Sequence, residues 1–122
     1  MIISHTLEFA GSNLSGFVVI PEGARIERCW LMLESTLAAH AANYLTFNVR
    51  GSDGVTAVAT QTTNSGASGI SITGVTPVEL SLSNADKQVY SDGGYIKLEC
   101  DKAGSPANNK VVFGIKLALA RD

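Results

Sequence analysis

The sequence predicts an all-β fold, a two-sheet antiparallel β-sandwich of jelly-roll type with about eight strands, on three observations. Apolar residues alternate with other residues in most segments, which is the period-two pattern of strands with one buried face. Clusters of Gly, Pro, Asn and Asp separate these segments at short intervals, as in sandwiches and barrels. The length of 122 residues fits one domain, residues 1–122, that buries roughly two-thirds of its unfolded surface. An immunoglobulin-like sandwich has nearly the same signature, so the strand order stays open.

Eight strands follow one another along the chain in this interpretation: 2–9, 14–20, 25–37, 44–50, 55–60, 76–83, 95–101 and 110–120. Residues 25–37 also contain good helix formers, but the turn-rich flanks on both sides favour a strand. The Asp53–Gly54 pair predicts a hairpin turn, because Gly accepts the positive φ that such a turn needs. The Ala-rich segment 38–42 is compatible with one helical turn. Residues 61–71, rich in Thr, Ser, Gly and Asn, are expected to form a flexible loop or an edge segment.

The shared-face alternation also predicts which side chains fill the space between the sheets. Cys29 and Cys100 lie in apolar strand segments, where a free cysteine behaves as a small hydrophobe. We expect two buried thiols there, and a disulfide between facing strands is the alternative. The predicted core consists of Leu7, Phe9, Leu31, Leu33, Leu45, Phe47, Val49, Leu80, Ile96, Leu98, Phe113, Ile115 and Leu117.

Composition argues against several classes of function. Nine basic and eleven acidic residues give a net charge of −2, so the chain lacks the basic footprint that nucleic acid or an anionic membrane requires. No apolar run approaches the ~20 residues of a membrane helix. The first residues show neither the basic segment nor the long apolar run of a secretion signal, so we expect synthesis in the cytoplasm in reduced form. The charged fraction of 16%, against about a quarter in typical domains, indicates either a surface covered in an assembly or a large core.

The polar residues form no pattern that predicts catalysis. His5 and His40 are the only histidines, and neither lies near a Ser or Cys in a nucleophile motif, so structural roles are expected. Glu99 and Asp101 share a strand face beside lysines, which is typical of a solvated charge stripe and not of a catalytic carboxylate pair. The sequence has no Cys-x-x-Cys or His-Glu-x-x-His motif. We therefore expect no enzyme activity, no metal and no cofactor.

One strand face carries the candidate site. Even spacing puts Arg28, Trp30, Met32 and Glu34 on one side of the third strand, opposite an aliphatic side. Arg, Trp and Met are enriched at protein interfaces, and an exposed Trp–Met pair lowers the solubility of a weakly charged chain. These four residues are the candidate oligomer interface. The alternative is that Trp30 is buried beneath a loop of its own subunit.

Four segments carry a resemblance to a known family: GFVVIPEGARIERCWLML, YLTFNVRGSDG, VTPVELSLS and DGGYIKLECDKAGSPANNKVVFGIKLAL. Over nearly its whole length the chain resembles the jelly-roll decoration (cement) proteins that sit on the outside of tailed-bacteriophage capsids, commonly as trimers. The resemblance implies a structural virion protein on the capsid surface. Its implied partners are further copies of itself, in a homotrimer, and the major capsid protein. The alternative is a carbohydrate- or receptor-binding module of fibre-tip type, with Trp30, Tyr44, Tyr90 and Tyr95 as stacking platforms.

Overall fold

The computed structural model describes residues 1–119 and contains two antiparallel sheets that enclose one apolar core. The predicted all-β sandwich is therefore confirmed. Two short 3₁₀ segments, Ser65–Ala67 and Ala85–Gln88, interrupt the connections between strands. The strands are β1 Ile2–Phe9, β2 Leu14–Ile20, β3 Ala24–Leu33, β4 Tyr44–Arg50, β5 Ala57–Thr62, β6 Val78–Leu80, β7 Val89–Tyr90, β8 Gly94–Ala103 and β9 Asn109–Leu119.

The strand order follows a nested pairing. The first sheet has the order β1-β9-β3-β6, with the two-residue β7 also paired to β3, and the second sheet has the order β2-β8-β4-β5. Apart from β7, the first strand pairs with the last, the second with the second-last, the third with the third-last, and the two middle strands with each other. Such nesting results when one long hairpin is rolled into two sheets, and it is the arrangement of a jelly roll.

The core lies between the sheets and is filled by every second residue of each long strand. Every side chain of the predicted core is buried, which confirms the alternation inferred from the sequence. In β9, for example, the buried residues are Val111, Phe113, Ile115 and Leu117. Four of the largest fully buried side chains were not in the predicted core: Ile20, Ile26, Ile72 and Tyr90.

The chain leaves the sheet after Leu33, earlier than the predicted end at residue 37. Leu37 still has a buried side chain, but its N–H donates to the carbonyl of Ile72 and its carbonyl accepts from the Ile72 N–H. The N–H of His40 donates to the carbonyl of Thr63. These bonds tie residues 37–40 to the 63–72 segment, so segment 38–42 does not form the helical turn with which its sequence is compatible.

The fifth strand begins two residues later than predicted because a side chain holds the preceding turn. The carboxylate of Asp53 accepts hydrogen bonds from the N–H groups of Val55 (2.9 Å) and Thr56 (2.7 Å). Gly54 has φ +72°, as the Asp–Gly pair predicts. With both donors occupied by Asp53, pairing with β4 starts at Ala57.

Three further boundaries differ from the prediction. The 61–71 segment contains the end of β5 and a 3₁₀ turn, and the strand predicted at 76–83 is only Val78–Leu80. β8, Gly94–Ala103, extends beyond the predicted strand 95–101 at both ends. The predicted last strand is present as Asn109–Leu119, and Ala120, its predicted last residue, lies outside the described residues.

Candidate functional site

An apolar groove of about 320 Å³ runs across the outer face of the first sheet. Trp30 lies opposite Gly114 in the β3–β9 register, and Met32 lies opposite Val112. Trp30 and Met32 are half-buried, whereas Ile2 at the end of β1 is 67% exposed. This apolar groove is lined chiefly by Ile2, Trp30, Met32, Pro77, Val112 and Gly114.

The Trp30 ring packs against the glycine beside it on β9. A β-carbon on Gly114 would lie 3.6 Å from Cε3 of the Trp30 indole. That is an ordinary van der Waals distance, so a β-carbon would just touch the ring, and only a longer side chain would extend into the space that the ring occupies. Because neighbouring strands are only about 4.8 Å apart, a larger residue at this position would press against the ring and narrow the groove.

Arg28 and Glu79 hold the other side of the Trp30 ring. Nε and Nη2 of Arg28 donate to the two carboxylate oxygens of Glu79 at 2.8 and 2.6 Å. The Arg28 Cζ lies 4.7 Å from the centre of the Trp30 ring, within range of a cation–π interaction. The hydrogen bonds from Arg28 lower the pKa of Glu79. This bidentate pair fixes the guanidinium against the indole at the edge of the groove.

Paired charges complete the rim of the groove. Lys116 forms an ion pair with Glu27 at 3.0 Å, and its hydrogen bond lowers the pKa of that carboxyl. Lys110 lies 3.7 Å from Glu8 and 3.9 Å from Glu34. Exposed pairs of this kind contribute little to stability. Their main consequence is that the rim carries almost no net charge.

The structure brings three of the four candidate interface residues together. Arg28, Trp30 and Met32 face outward on β3, side by side over the apolar groove. A register shift between Ile26 and Arg28 precedes them. Glu34 follows the last residue of β3 and contributes only to the rim. Trp30 is half-buried, and the groove that it lines also contains Pro77, from the connection that precedes β6.

A second apolar surface lies on the outer face of the second sheet, and the sequence did not single it out. Phe17 and Val19 of β2 are 55% and 81% exposed, Tyr95 of β8 is 47% exposed, and Val55 is 73% exposed. Val19 lies opposite Tyr95 in the register, and the rings of Phe17 and Tyr95 meet edge to face at 5.2 Å. These four residues are called the aromatic patch. The signal for it was that Phe17 to Ile20 is apolar at every position, so both faces of this strand are apolar.

The two histidines have structural surroundings. Nδ1 of His40 accepts hydrogen bonds from the N–H groups of Ala42 (3.0 Å) and Asn43 (2.9 Å), so His40 closes the turn that precedes β4. His5 is half-buried on β1 and packs against Gly16 of β2. Over the described part of the chain, no group of three or more His, Cys, Asp or Glu side chains lies close enough to bind a metal ion.

Cys29 and Cys100 are free and fully buried, as predicted. Burial raises the pKa of each thiol to about 12. Reactivity requires the thiolate, so both side chains act as core residues. Their strands belong to different sheets, and neither thiol takes part in a surface site.

The carboxylates of β8 are less solvated than the sequence suggested. Glu99 has a side chain only 16% exposed, held by Arg50 at 2.9 Å and by Lys97 at 3.4 Å. Burial, and then the charge of Glu99, raises the pKa of Asp101. Glu99 thus belongs to an ion-pair network with Arg50 and Lys97 on the outer face of the second sheet, and Asp101 lies beside this network.

The aromatic residues named as stacking platforms differ in accessibility. Tyr90 is 1% exposed, which rules it out as a platform because its ring packs in the core. Tyr44 is half-buried, and Tyr95 belongs to the aromatic patch. The rings of Phe17 and Tyr95 are inclined at 81°, so they do not form one flat surface.

Comparison with protein-family models, with curated proteins and with solved structures finds no match for this chain. Among residues 1–119, no helix is long and apolar enough to cross a membrane.

Proposed function

We propose that this chain is a structural virion protein, a decoration (cement) protein that binds the outer surface of an assembled tailed-phage capsid and stabilises it. The observation that carries the proposal is the apolar groove around Trp30, set in a nearly neutral rim on a rigid sheet. An apolar centre with a polar rim is the anatomy of a protein–protein interface. A component that binds only the assembled shell stabilises it by mass action.

A second copy of the chain is the proposed occupant of the apolar groove, in a homotrimer. The charged side chains of the rim, three basic and four acidic, are engaged within the subunit. In a trimer each rim meets a different part of the neighbouring copy, and a rim with paired charges can do so without strong repulsion, whereas a highly charged partner would find no complementary charge. Aromatic anchors such as Trp30 dominate the energy of interfaces of this type.

The size of the groove face predicts a weak individual contact. Four strands about 4.8 Å apart and about five residues of each strand give on the order of 300 Å² of projected area. A standard interface buries about 800 Å² per partner. The isolated oligomer should therefore dissociate on dilution, and simultaneous attachment at several points of a symmetric shell would compensate through avidity.

The oligomer is tested by native mass and by fluorescence. Trp30 is the only tryptophan, so its emission reports on the groove and should shift to shorter wavelength as concentration rises. The double variant Trp30→Ala, Met32→Ser should have monomer mass and an intact fold, while Val55→Ser, on the opposite face, should keep the wild-type mass. A wild-type monomer at all concentrations, or a double variant with wild-type mass, would contradict the proposed interface.

Capsid attachment is tested by sedimentation with purified capsids of the phage whose genome encodes the chain. The wild-type protein should pellet with expanded capsids and raise the temperature at which they break. Absence of pelleting, together with binding to a glycan array, would instead assign the chain to the carbohydrate- or receptor-binding class.

A further inference from the structure

One side of β1 has no neighbouring strand. β1 is the first strand in the order β1-β9-β3-β6, so within its sheet it pairs only with β9. The N–H of Leu117 donates to the carbonyl of Met1 at 2.8 Å, and the Met1 amine donates to the Leu117 carbonyl at 3.3 Å. In an antiparallel pair, residues bonded to the neighbour alternate with residues whose backbone groups point away from it. Because the β1–β9 register is uninterrupted, the odd-numbered residues of β1 bond to β9 and the even-numbered ones point outward.

The outward backbone groups of β1 form a row of free hydrogen-bond donors and acceptors. The residues that carry them are Ile2, Ser4, Thr6 and Glu8, called here the outer edge. Within residues 1–119, no backbone group pairs with the N–H or carbonyl of these residues. Their side chains are exposed, so another chain has access to this edge.

The other strands at the sheet edges are short, interrupted or covered by the chain itself. β6 contains only three residues. On β5, the carbonyls of Val58 and Thr62 accept hydrogen bonds from the N–H groups of Ser83 (2.8 Å) and Ile70 (3.1 Å). β2 contains Gly16, and a glycine weakens a strand. β1 has no proline, glycine, basic residue or register shift, which are the features that keep an exposed edge from pairing.

We propose that the outer edge pairs with the outer edge of a second copy, antiparallel about a two-fold axis. Only residues with outward backbone groups can exchange hydrogen bonds across such a join. The alignment that uses the whole outer edge puts Ile2 opposite Glu8 and Ser4 opposite Thr6 of the other copy. The hydroxyl side chains then meet near the axis, where they can bond to each other, and the two Glu8 carboxylates lie at opposite ends. The edge is therefore complementary to itself, as a two-fold contact requires.

This contact is separate from the apolar groove and weaker. It buries little apolar surface, and the freedom lost on association offsets most of the net contribution of the hydrogen bonds. The pair should therefore form in the millimolar range and leave the native mass at micromolar concentration unchanged. Under the proposed function it would join neighbouring copies on the shell, where their local concentration is high. That role alone rests on the proposed function.

Cysteine cross-linking tests the contact and its register together. The variants Ser4→Cys and Thr6→Cys, mixed at high concentration under mild oxidation, should form a disulfide-linked pair, because opposed residues of this kind lie about 5.5 Å apart between Cα atoms. Each variant alone should give at least 3-fold less, since its cysteine is not opposite itself. Cys29 and Cys100 are buried and do not compete. Equal yields from the mixture and from the single variants, or no cross-link in any of them, would overturn the proposal.

A proline substitution separates the backbone bonds from the side chains. In ¹⁵N-labelled wild-type protein, the amide resonances of the outer edge should shift as concentration rises from micromolar to millimolar. Thr6→Pro removes one outward N–H but none of the bonds to β9, so it should keep the wild-type Tm and lose these shifts. The control Thr6→Val keeps the N–H and should shift as the wild type does. Should Thr6→Pro not fold, Ser4→Lys with Thr6→Lys opposes like charges across the join and should lose the shifts. Shifts that survive in the folded proline or lysine variant, or that centre on β2, would overturn the proposal.

A crossed design separates this inference from the proposed function. The variant Trp30→Ala, Met32→Ser, which lacks the groove contact, should keep the concentration-dependent shifts of the outer edge. If the wild-type protein does not bind capsids while the cross-linking and proline results hold, the proposed function fails and the edge contact stands. Loss of the edge shifts in a folded Trp30→Ala, Met32→Ser variant would show that edge and groove form one interface, and would overturn the separate contact.

Discussion

The substitution Tyr90→Phe is expected to stabilise the protein, although it removes a polar group from the core. Tyr90 is 1% exposed, and its hydroxyl has no hydrogen-bond partner within the described residues. A buried polar group without a partner costs about 1–3 kcal/mol. Removing the oxygen also leaves a small void, so we expect a net gain of about 1 kcal/mol.

The expected gain is large enough to measure. At an unfolding entropy of about 2.1 cal/mol/K per residue, a domain of this length loses roughly 0.26 kcal/mol of stability per kelvin near Tm, so 1 kcal/mol raises Tm by about 4 °C. Calorimetry and urea unfolding would measure it. The matched control is Tyr95→Phe, whose ring is 47% exposed and whose change should stay within about 0.5 kcal/mol.

Tyr90 should also make the stability of the wild-type protein depend on pH in the alkaline range. Burial raises the pKa of the Tyr90 phenol above its usual 10.0. The unfolded chain therefore releases this proton first, and stability falls as pH rises above about 10. That fall should be smaller in Tyr90→Phe. A loss of 1 kcal/mol or more in Tyr90→Phe at neutral pH would refute the reasoning, because it would mean that the hydroxyl is bonded in the folded protein, for example to an internal water.

Two further predictions concern the core and a turn. Phe47→Ala and Phe113→Ala should each lower the free energy of unfolding by about 3–5 kcal/mol. The control Phe17→Ala, at a position 55% exposed, should change it by about 0.5 kcal/mol or less. Equal effects of the three substitutions in urea unfolding would show that the assignment of strand residues to the buried and exposed faces is wrong. Hydrogen bonds lower the pKa of Asp53 from 3.8 to about 2. Asp53→Asn should therefore lower the urea midpoint at pH 7. The difference in midpoint between the variant and the wild type should shrink as pH falls from about 4 towards 2, because the wild-type carboxylate then becomes protonated. Asp86→Asn is the control, and a deficit that did not depend on pH would contradict the role of the charge.

The sequence predicted the core well because burial and alternation coincide in the long strands. It misplaced the end of the third strand because Leu37 is buried in either arrangement, through the sheet or through its bonds with Ile72. It missed Tyr90 because two adjacent apolar residues, Val89 and Tyr90, in a polar connection show no period. The aromatic patch escaped notice for the opposite reason: a run apolar at every position, Phe17 to Ile20, does not reveal which side chains face the solvent.

The pairing of the first strand with the last has a consequence for synthesis. β9 lies between β1 and β3, so β1 has no neighbour in its sheet until residues about 100 positions later have left the ribosome. At about 5–20 residues per second, that wait lasts roughly 5–20 s. During this time the free edge of β1 is open to pairing with another chain. Neighbouring chains on one messenger RNA could then exchange their final strands, so we expect strand-swapped oligomers to be the main misfolded product, increasing with expression rate.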